Sequence, residues 1–231
     1  MPAGVTLVEL ALVVLIIGFL VALVIQGQEL IRSSRVRSLI AQQDAVEAAV
    51  LGFQDRYRAM PGDYADAANT IACNPACLNG NGNGRIDSTG TPPEFILAWA
   101  HLSGAGFLNA SFAATSGSLS PAPGNTPRNV FGGYMQLVFD NLWGYSANPA
   151  RRHNIKTGNN IPVDLIAEVD RKVDDGLPTS GRVQFTPYTG AGPQLDWGGL
   201  DTSCTNQDVA DRSTLWTVTS GVDNCGAATL F

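Results

Sequence analysis

The longest uninterrupted apolar stretch of the chain lies near its N-terminal end. Residues 4–25 are GVTLVELALVVLIIGFLVALVI, and Glu9 is the one charged side chain among them. After Gly4 this leaves about 21 residues, roughly the length of helix that crosses the hydrocarbon core of a bilayer. The pattern therefore predicts a membrane-spanning helix.

The helix is predicted to continue well beyond this apolar stretch. Polarity rises from Gln26 onward, but no helix-breaking residue precedes Pro61. Apolar residues in this second half recur at three- and four-residue spacings, which is typical of a helix with one buried face. They are Leu30, Ile31, Val36, Leu39, Ile40, Ala45, Val46, Ala49, Val50, Phe53 and Tyr57. We therefore expect one helix of about 50 residues, from Val5 to Arg58, whose second half packs against a globular domain.

Past Pro61 the sequence alternates between loops and short elements. Thr91, Pro92 and Glu94 match a capping box, which predicts a second helix that ends at Gly104. A third helix is predicted over 161–173, and antiparallel strands are predicted over 130–139, 142–146, 182–186 and 215–219. The predicted fold class is α+β: a long helical spine against a small antiparallel sheet, with short helices and a looped rim.

Glu9 is an unusual residue for a membrane segment. An ionised carboxylate there costs about 2.5–3.5 kcal/mol on insertion scales unless it is neutralised. The next basic residue is Arg32, about 34 Å farther along a continuous helix. An α-amino group would supply the missing charge if the chain were cut after Gly4, leaving Val5 as the new terminus.

The sequence GVTLVEL at 4–10 closely resembles the class III signal of type IV pilins and type II secretion pseudopilins. In that family a membrane-embedded prepilin peptidase cuts after the glycine and usually N-methylates the new terminus. The glutamate at the fifth position then pairs with the terminal amine of a neighbouring subunit. The resemblance implies cleavage after Gly4, a methylated Val5 and a role for Glu9 in filament assembly.

Two further stretches are similar to pilin-like proteins: the helix exit DRYRAMPGD at 55–63 and the segment at 168–183. The resemblance implies a pilin-like division into a leader at 1–4, a transmembrane and filament-core helix at 5–27, its amphipathic half at 28–60 and a head at 61–231. It also implies a subunit that is inserted in the inner membrane with its head outside the cytoplasm. An inner-membrane assembly platform would then polymerise identical chains into an extracellular or periplasmic filament.

Other interpretations of the apolar stretch stay open. A secretory signal has an apolar core of about 7–15 residues and a small-residue cleavage site after it, whereas this core is longer and continues as helix. A plain single-pass anchor would carry a non-polymerising, calcium-stabilised binding domain, for example an adhesive one. Substituting Glu9 with alanine separates this alternative from a filament subunit.

The acidic character of the chain lies in the predicted head. The chain of 231 residues has a net charge of −6, and residues 1–60 hold five basic and five acidic side chains. An acidic head argues against nucleic acid as a partner, because such binding needs clustered Lys and Arg. Arg32, Arg35 and Arg37 follow the apolar stretch, and the positive-inside rule alone would place the head in the cytoplasm. A basic leader upstream would restore the opposite asymmetry.

The four cysteines form two pairs that are local in sequence. Three connectivities are possible, but pairing Cys73 with Cys77 and Cys204 with Cys225 closes short loops in segments rich in Asn, Gly, Thr and Pro. A zinc site is the alternative, yet Cys-x3-Cys lacks a second close pair of ligands to complete a tetrahedron. We therefore predict two disulfides and an oxidising compartment for the head.

The sharpest motif outside the membrane segment is NGNGNGRID at 79–87, which matches the start of an EF-hand-type calcium loop. The predicted ligands are the side chains of Asn79, Asn81, Asn83 and Asp87, the carbonyl of Arg85, and an outside acid, Glu94 or Asp63. Position 12 of the loop is Gly90 instead of Glu, so the site is short of charge. We expect a dissociation constant for calcium no tighter than about 10⁻⁴ M, and a metal-free Asn-Gly turn remains the alternative.

A second acidic group, Asp170, Asp174 and Asp175, lies at the predicted C-terminus of the third helix. Carboxylates there oppose the helix dipole by roughly 0.3–1 kcal/mol each, so something should compensate for them. Calcium is one candidate, and hydrogen bonds from the turn at 176–181 or the charges of Arg171 and Lys172 are the other.

Enzymatic functions have little support in the sequence. His101 and His153 are the only histidines, and the chain contains no Gly-x-Ser-x-Gly, His-Glu-x-x-His or phosphate-binding motif. His101 falls in the predicted helix around Trp99, where a packed side chain is the ordinary explanation. We therefore predict a structural protein without catalytic residues.

Overall fold

The computed structural model describes residue 4 and residues 6–144, 150–186, 204–206, 215–219 and 221–231. In chain order the elements are helices and strands of one α+β assembly. They are α1 (Leu7–Tyr57), α2 (Ala67–Thr70), α3 (Glu94–Gly104), β1 (Gln136–Asp140), β2 (Arg152–Lys156), α4 (Val163–Val173), β3 (Val183–Phe185) and β4 (Ala227–Leu230).

Helix α1 is continuous over 51 residues, about 75 Å at 1.5 Å per residue. It ends at Tyr57, and Arg58 takes the left-handed conformation (φ 54°) as its C-cap. The large apolar side chains of residues 7–25 are 47–84% exposed. Leu30, Ile31 and Ala45, which we predicted to lie in the packed stripe, are also exposed, and the first buried side chain of α1 is Val36. The head therefore covers only the C-terminal part of α1.

The four strands form one antiparallel sheet in the order β1-β2-β4-β3. Lys156 of β2 faces Gln136 of β1 across one ladder and Ala228 of β4 across the next. Helices α3, α1 and α4 pack on β1, β2 and β3 respectively. The three longer helices therefore all pack against the sheet.

Two clusters of buried side chains hold the helices to the sheet. The first joins the C-terminal part of α1 to α3 and β1, with Phe53, Phe95 and Trp99 all fully buried. The second joins α1 at Val36 and Leu39 to α4, β3 and β4. Burying one such side chain contributes about 1.5–3 kcal/mol, so the second half of α1 is an integral part of the core.

Ion pairs add to the contact between α1 and the head. Arg32 lies 2.7 Å from Asp164 of α4, and Glu47 pairs with Arg182 beside β3. Both pairs are partly exposed, and such pairs contribute about 1 kcal/mol or less each. Their contribution to the stability of the head is therefore small.

Several predicted strands differ from the observed sheet. The strand predicted over 130–139 is shorter and runs from Gln136 to Asp140. Of the strand predicted over 142–146, residues 142–144 are not a strand and the rest lie outside the described residues. In the strand predicted over 215–219, Trp216 forms only an isolated bridge with Thr205.

Strands β2 and β4 were not predicted from the sequence. The sequence of β2, RHNIK, lacks the apolar alternation that predicts a strand. Its last residue, Lys156, is nevertheless fully buried, and it pairs with Asp140 of β1. The sequence of β4, AATL, is short and buried at every position. Tertiary pairing, not local propensity, makes these segments strands.

Both predicted disulfides are confirmed. Cys73 and Cys77 are bonded with Cα atoms 5.2 Å apart, and Cys204 and Cys225 with Cα atoms 5.8 Å apart. The first lies against α3, where a Cβ at Gly104 would come within 2.4 Å of Cys73 Sγ. The second belongs to the cluster around α4. These cysteines are therefore disulfide-bonded and not zinc ligands.

Candidate functional site

The N-terminal end of α1 is held by a capping box. The Glu9 amide donates to Thr6 Oγ1 at 3.3 Å, and the Thr6 amide donates to Glu9 Oε2 at 3.1 Å. The pattern Thr-x-x-Glu is visible in the sequence and predicts this cap, although we had interpreted Glu9 only as an assembly residue. In the single chain, the Glu9 side chain is exposed, and its carboxylate accepts the backbone amide of the N-cap residue Thr6.

The predicted processing site lies just before this cap. Gly4 is exposed, with no atom within 4 Å of a Cβ built on it, and Val5 lies outside the described residues. Among the described residues, α1 is the one helix long and apolar enough to cross a membrane. The backbone at Gly4 is therefore sterically open, and the apolar half of α1 begins directly after the cap.

The predicted calcium loop is organised around two buried carboxylates. Asp63 accepts the amides of Asn83 and Gly84, each at 2.8 Å, and is 2% exposed. Glu94 accepts the amides of Asn81 at 2.8 Å and Asp87 at 2.9 Å, and is 4% exposed. Both carboxylates therefore hold the loop through its backbone.

The capping box predicted for α3 is wrong. The helix begins at Glu94, its N-cap is Pro93, and no side chain caps it. The two prolines, Pro92 and Pro93, separate Thr91 from the first helical turn, so Thr91 is not at the N-cap position. The Glu94 carboxylate instead reaches the loop at 79–87, as we had suggested for an outside acid.

The other side-chain oxygen atoms of the loop mostly accept hydrogen bonds from the loop itself or from a neighbouring segment. Asn81 Oδ1 and Asn83 Oδ1 accept the backbone amides two residues ahead, at 3.0 and 2.9 Å. The side-chain amides of both asparagines donate to Asp87 Oδ2, and Asn79 Oδ1 accepts the amide of Ala68. Calcium in this loop stays a prediction, because a bound ion would have to replace several of these hydrogen bonds.

Three acidic residues at the loop, Asp63, Asp87 and Glu94, lie close enough for their charges to affect one another's pKa. Burial raises the pKa of Asp63, the charge of Asp87 raises it further, and the loop amides lower it. Burial also raises the pKa of Glu94, and Asp63 and Asp87 add to the increase. However, Asp63, Asp87 and Glu94 do not bring three ligand atoms within 4.8 Å of one another, whereas Asp170, Asp174 and Asp175 do, alone among the described residues.

His101 is a packed residue, in line with our interpretation of the sequence. Its Nδ1 accepts the amide of Gly62 at 2.9 Å, and Nε2 lies 2.8 Å from the carbonyl of Leu78, to which it donates. Burial lowers the pKa of His101 to about 4. The neutral ring thus connects α3 to the turn after α1.

Comparisons with known proteins return nothing for this chain. No family model, curated protein or solved structure matches it.

Proposed function

We propose that this chain is a pilin-like structural subunit that polymerises through α1 into a filament. The observation that carries the proposal is the division of α1. Residues 7–25 are apolar and exposed, while the same helix is built into the core of the head from Val36 onward. An apolar surface of this extent requires lipid or other chains to cover it, and a filament subunit uses both in turn.

The position of Glu9 favours a filament subunit over a simple anchor. A carboxylate among exposed apolar residues is costly in lipid, at about 2.5–3.5 kcal/mol, unless a cation joins it. Within residues 4–31 the chain has no basic side chain. Cleavage after Gly4 would create an amine at Val5, and the amine of a neighbouring copy is the counter-charge that the proposal requires.

The disulfides support an oxidising location for the head. The proposed sequence of events is insertion of α1 in the inner membrane with the head outside the cytoplasm, cleavage by a prepilin peptidase, and extraction into a filament by an assembly platform. A type IV pilus subunit and a secretion pseudopilin share all of these features, and the proposal covers both.

A shearing experiment tests the proposal. Cells that produce the chain together with a prepilin peptidase and an assembly platform are sheared, and the released material is examined by electron microscopy and immunoblotting. We expect filaments that contain this chain, and their loss when the peptidase is omitted. A chain that stays in the membrane fraction with its head exposed, with or without the peptidase, would support the anchored binding domain instead.

A further inference from the structure

The loop at 79–87 contains three consecutive Asn-Gly pairs, at 79–80, 81–82 and 83–84. Asparagine is chemically labile, most of all before glycine, which has no side chain to shield its backbone nitrogen. That nitrogen attacks the asparagine Cγ, and the side-chain nitrogen leaves as ammonia with the amide proton, which closes a succinimide ring. Water then opens the ring to aspartate or isoaspartate. The net reaction, asparagine plus water giving aspartate plus ammonia, needs no other reactant.

The backbone geometry of the loop explains why each asparagine is followed by glycine. Gly82 and Gly84 have φ angles of 74° and 82°, in the left-handed region that favours glycine. A Cβ at Gly80 would clash with the carbonyl oxygen of Gly62. All three asparagines are exposed, so solvent reaches them. The fold therefore requires the reactive pairs and does not protect them by burial.

The backbone nitrogens that would attack are all engaged in hydrogen bonds. The Gly80 amide donates to the carbonyl of Tyr64 at 3.0 Å, and the Gly82 amide donates to the carbonyl of Asp63 at 2.9 Å. The Gly84 amide donates to the carboxylate of Asp63 at 2.8 Å. Each nitrogen must leave its acceptor before it can reach an asparagine Cγ. The free energy of this local opening therefore adds to the barrier for ring closure.

Asn83 is held at its side chain as well as at its backbone. Its Oδ1 accepts the amide of Arg85 at 2.9 Å, and its Nδ2 donates to Asp87 Oδ2 at 2.7 Å. Its backbone amide donates to Asp63 Oδ1 at 2.8 Å. Ring closure requires the Asn83 carboxamide to turn toward Gly84 and break both side-chain bonds. Among the three pairs, only here is the glycine amide held by a side chain, so one substitution can release it.

We propose that Asn83-Gly84 is a latent deamidation site and that the Asp63 carboxylate protects it. The buried carboxylate holds the amides of both residues, so the reactive conformation forms only after these two contacts are lost. Deamidation would add a carboxylate beside Asp63 and Asp87, where like charges repel. An isoaspartate would also add a methylene group to the backbone of the turn. The inference concerns the covalent durability of the head and does not depend on filament formation.

Peptide mapping of aged protein by mass spectrometry tests the proposal. The full-length chain is incubated at neutral pH in detergent micelles and, in parallel, unfolded in guanidinium chloride, and the conversion of each asparagine to aspartate and isoaspartate is followed. We expect Asn83 to deamidate roughly tenfold or more slowly in the folded chain than in the unfolded one.

Variants of Asp63 test which group protects the site. Asp63→Ala should raise the rate at Asn83 in the folded chain roughly tenfold, while Asn79, the internal control, changes little. Asp63→Asn keeps the side-chain shape but accepts through one oxygen, so it should raise the rate at Asn83 to a smaller extent. Asp66→Ala removes a nearby exposed acid whose carboxylate bonds to Asn69. It is the matched control and should age as the wild type does.

Three results would overturn the proposal. The first is a folded wild-type chain in which Asn83 deamidates as fast as in the unfolded chain, a comparison that needs no variant to fold. The second is a rate at Asn83 that does not rise in Asp63→Ala, and a fall would identify the carboxylate as the base that removes the Gly84 proton. The third is an equal rise at Asn79 and Asn83 in both Asp63 variants, which would assign protection to the loop as a whole.

Discussion

Glu9→Ala is expected to reduce shear-released filaments by roughly tenfold or more, while the subunit stays in the membrane at normal abundance. The carboxylate costs about 2.5–3.5 kcal/mol in an apolar environment, and under the proposal only the terminal amine of another subunit offsets this cost. Removing the acid therefore removes the attraction that draws a new subunit into register, and each 1.4 kcal/mol lost is a factor of ten in association.

Two companion variants separate this role from the capping box at the start of α1. Glu9→Gln keeps a side chain that can accept the Thr6 amide but carries no charge, so it should fail to assemble as Glu9→Ala does. Thr6→Ala removes the cap at a cost of about 1 kcal/mol and leaves the charge, so it should still assemble. Normal filaments from Glu9→Gln would show that helix capping, not charge pairing, is what the residue supplies.

The second large effect concerns the pH dependence of stability. The pKa of His101 is about 4 in the folded chain, below the ordinary value of about 6.5, so the unfolded chain binds more protons between these values. Stability should therefore fall as the pH falls from about 6.5 to about 4, by up to about 3 kcal/mol. Protonation would also place a hydrogen on Nδ1, which accepts the Gly62 amide.

Chemical denaturation of wild type and His101→Gln between pH 7 and pH 4 measures this contribution. His153, Asp63, Glu94 and Asp170 also have shifted pKa values, and the three raised acids favour the folded state as the pH falls. They are present in both chains, so the difference between the two curves isolates His101. We expect the wild type to lose about 3 kcal/mol relative to the variant across this range, and parallel curves would contradict the assignment.

The parts of the fold that follow from local sequence rules were predictable. The ends of α1 follow from the apolar run, the absence of early breakers and the Pro61-Gly62 turn. Helix α4 starts at Val163 because Pro162 precedes it, and ends at Val173 before Gly176. The disulfides follow from sequence proximity. In each case the decisive residues lie within a few positions of the element.

The sheet and the detailed contacts of the candidate sites depend on residues far apart in sequence, and local sequence rules predict them only in part. The polar β2 pairs with β1 and β4, and its buried Lys156 forms an ion pair with Asp140 of β1. Glu94 accepts backbone amides of the loop at 79–87 because the N-terminal end of α3 lies beside this loop. Likewise, the sequence groups Asp170 with its neighbours, but it does not reveal the burial of Asp170 or its contact with Trp216.

The most direct test of the central claim is mass spectrometry of the N-terminal peptide from shear-released filaments. The account predicts subunits that begin at Val5, bearing one methyl group or none, since the free amine at this position is the proposed partner of Glu9 in the next subunit. Filaments of normal yield whose subunits retain residues 1–4 would contradict it, because no amine would then lie beside the carboxylate.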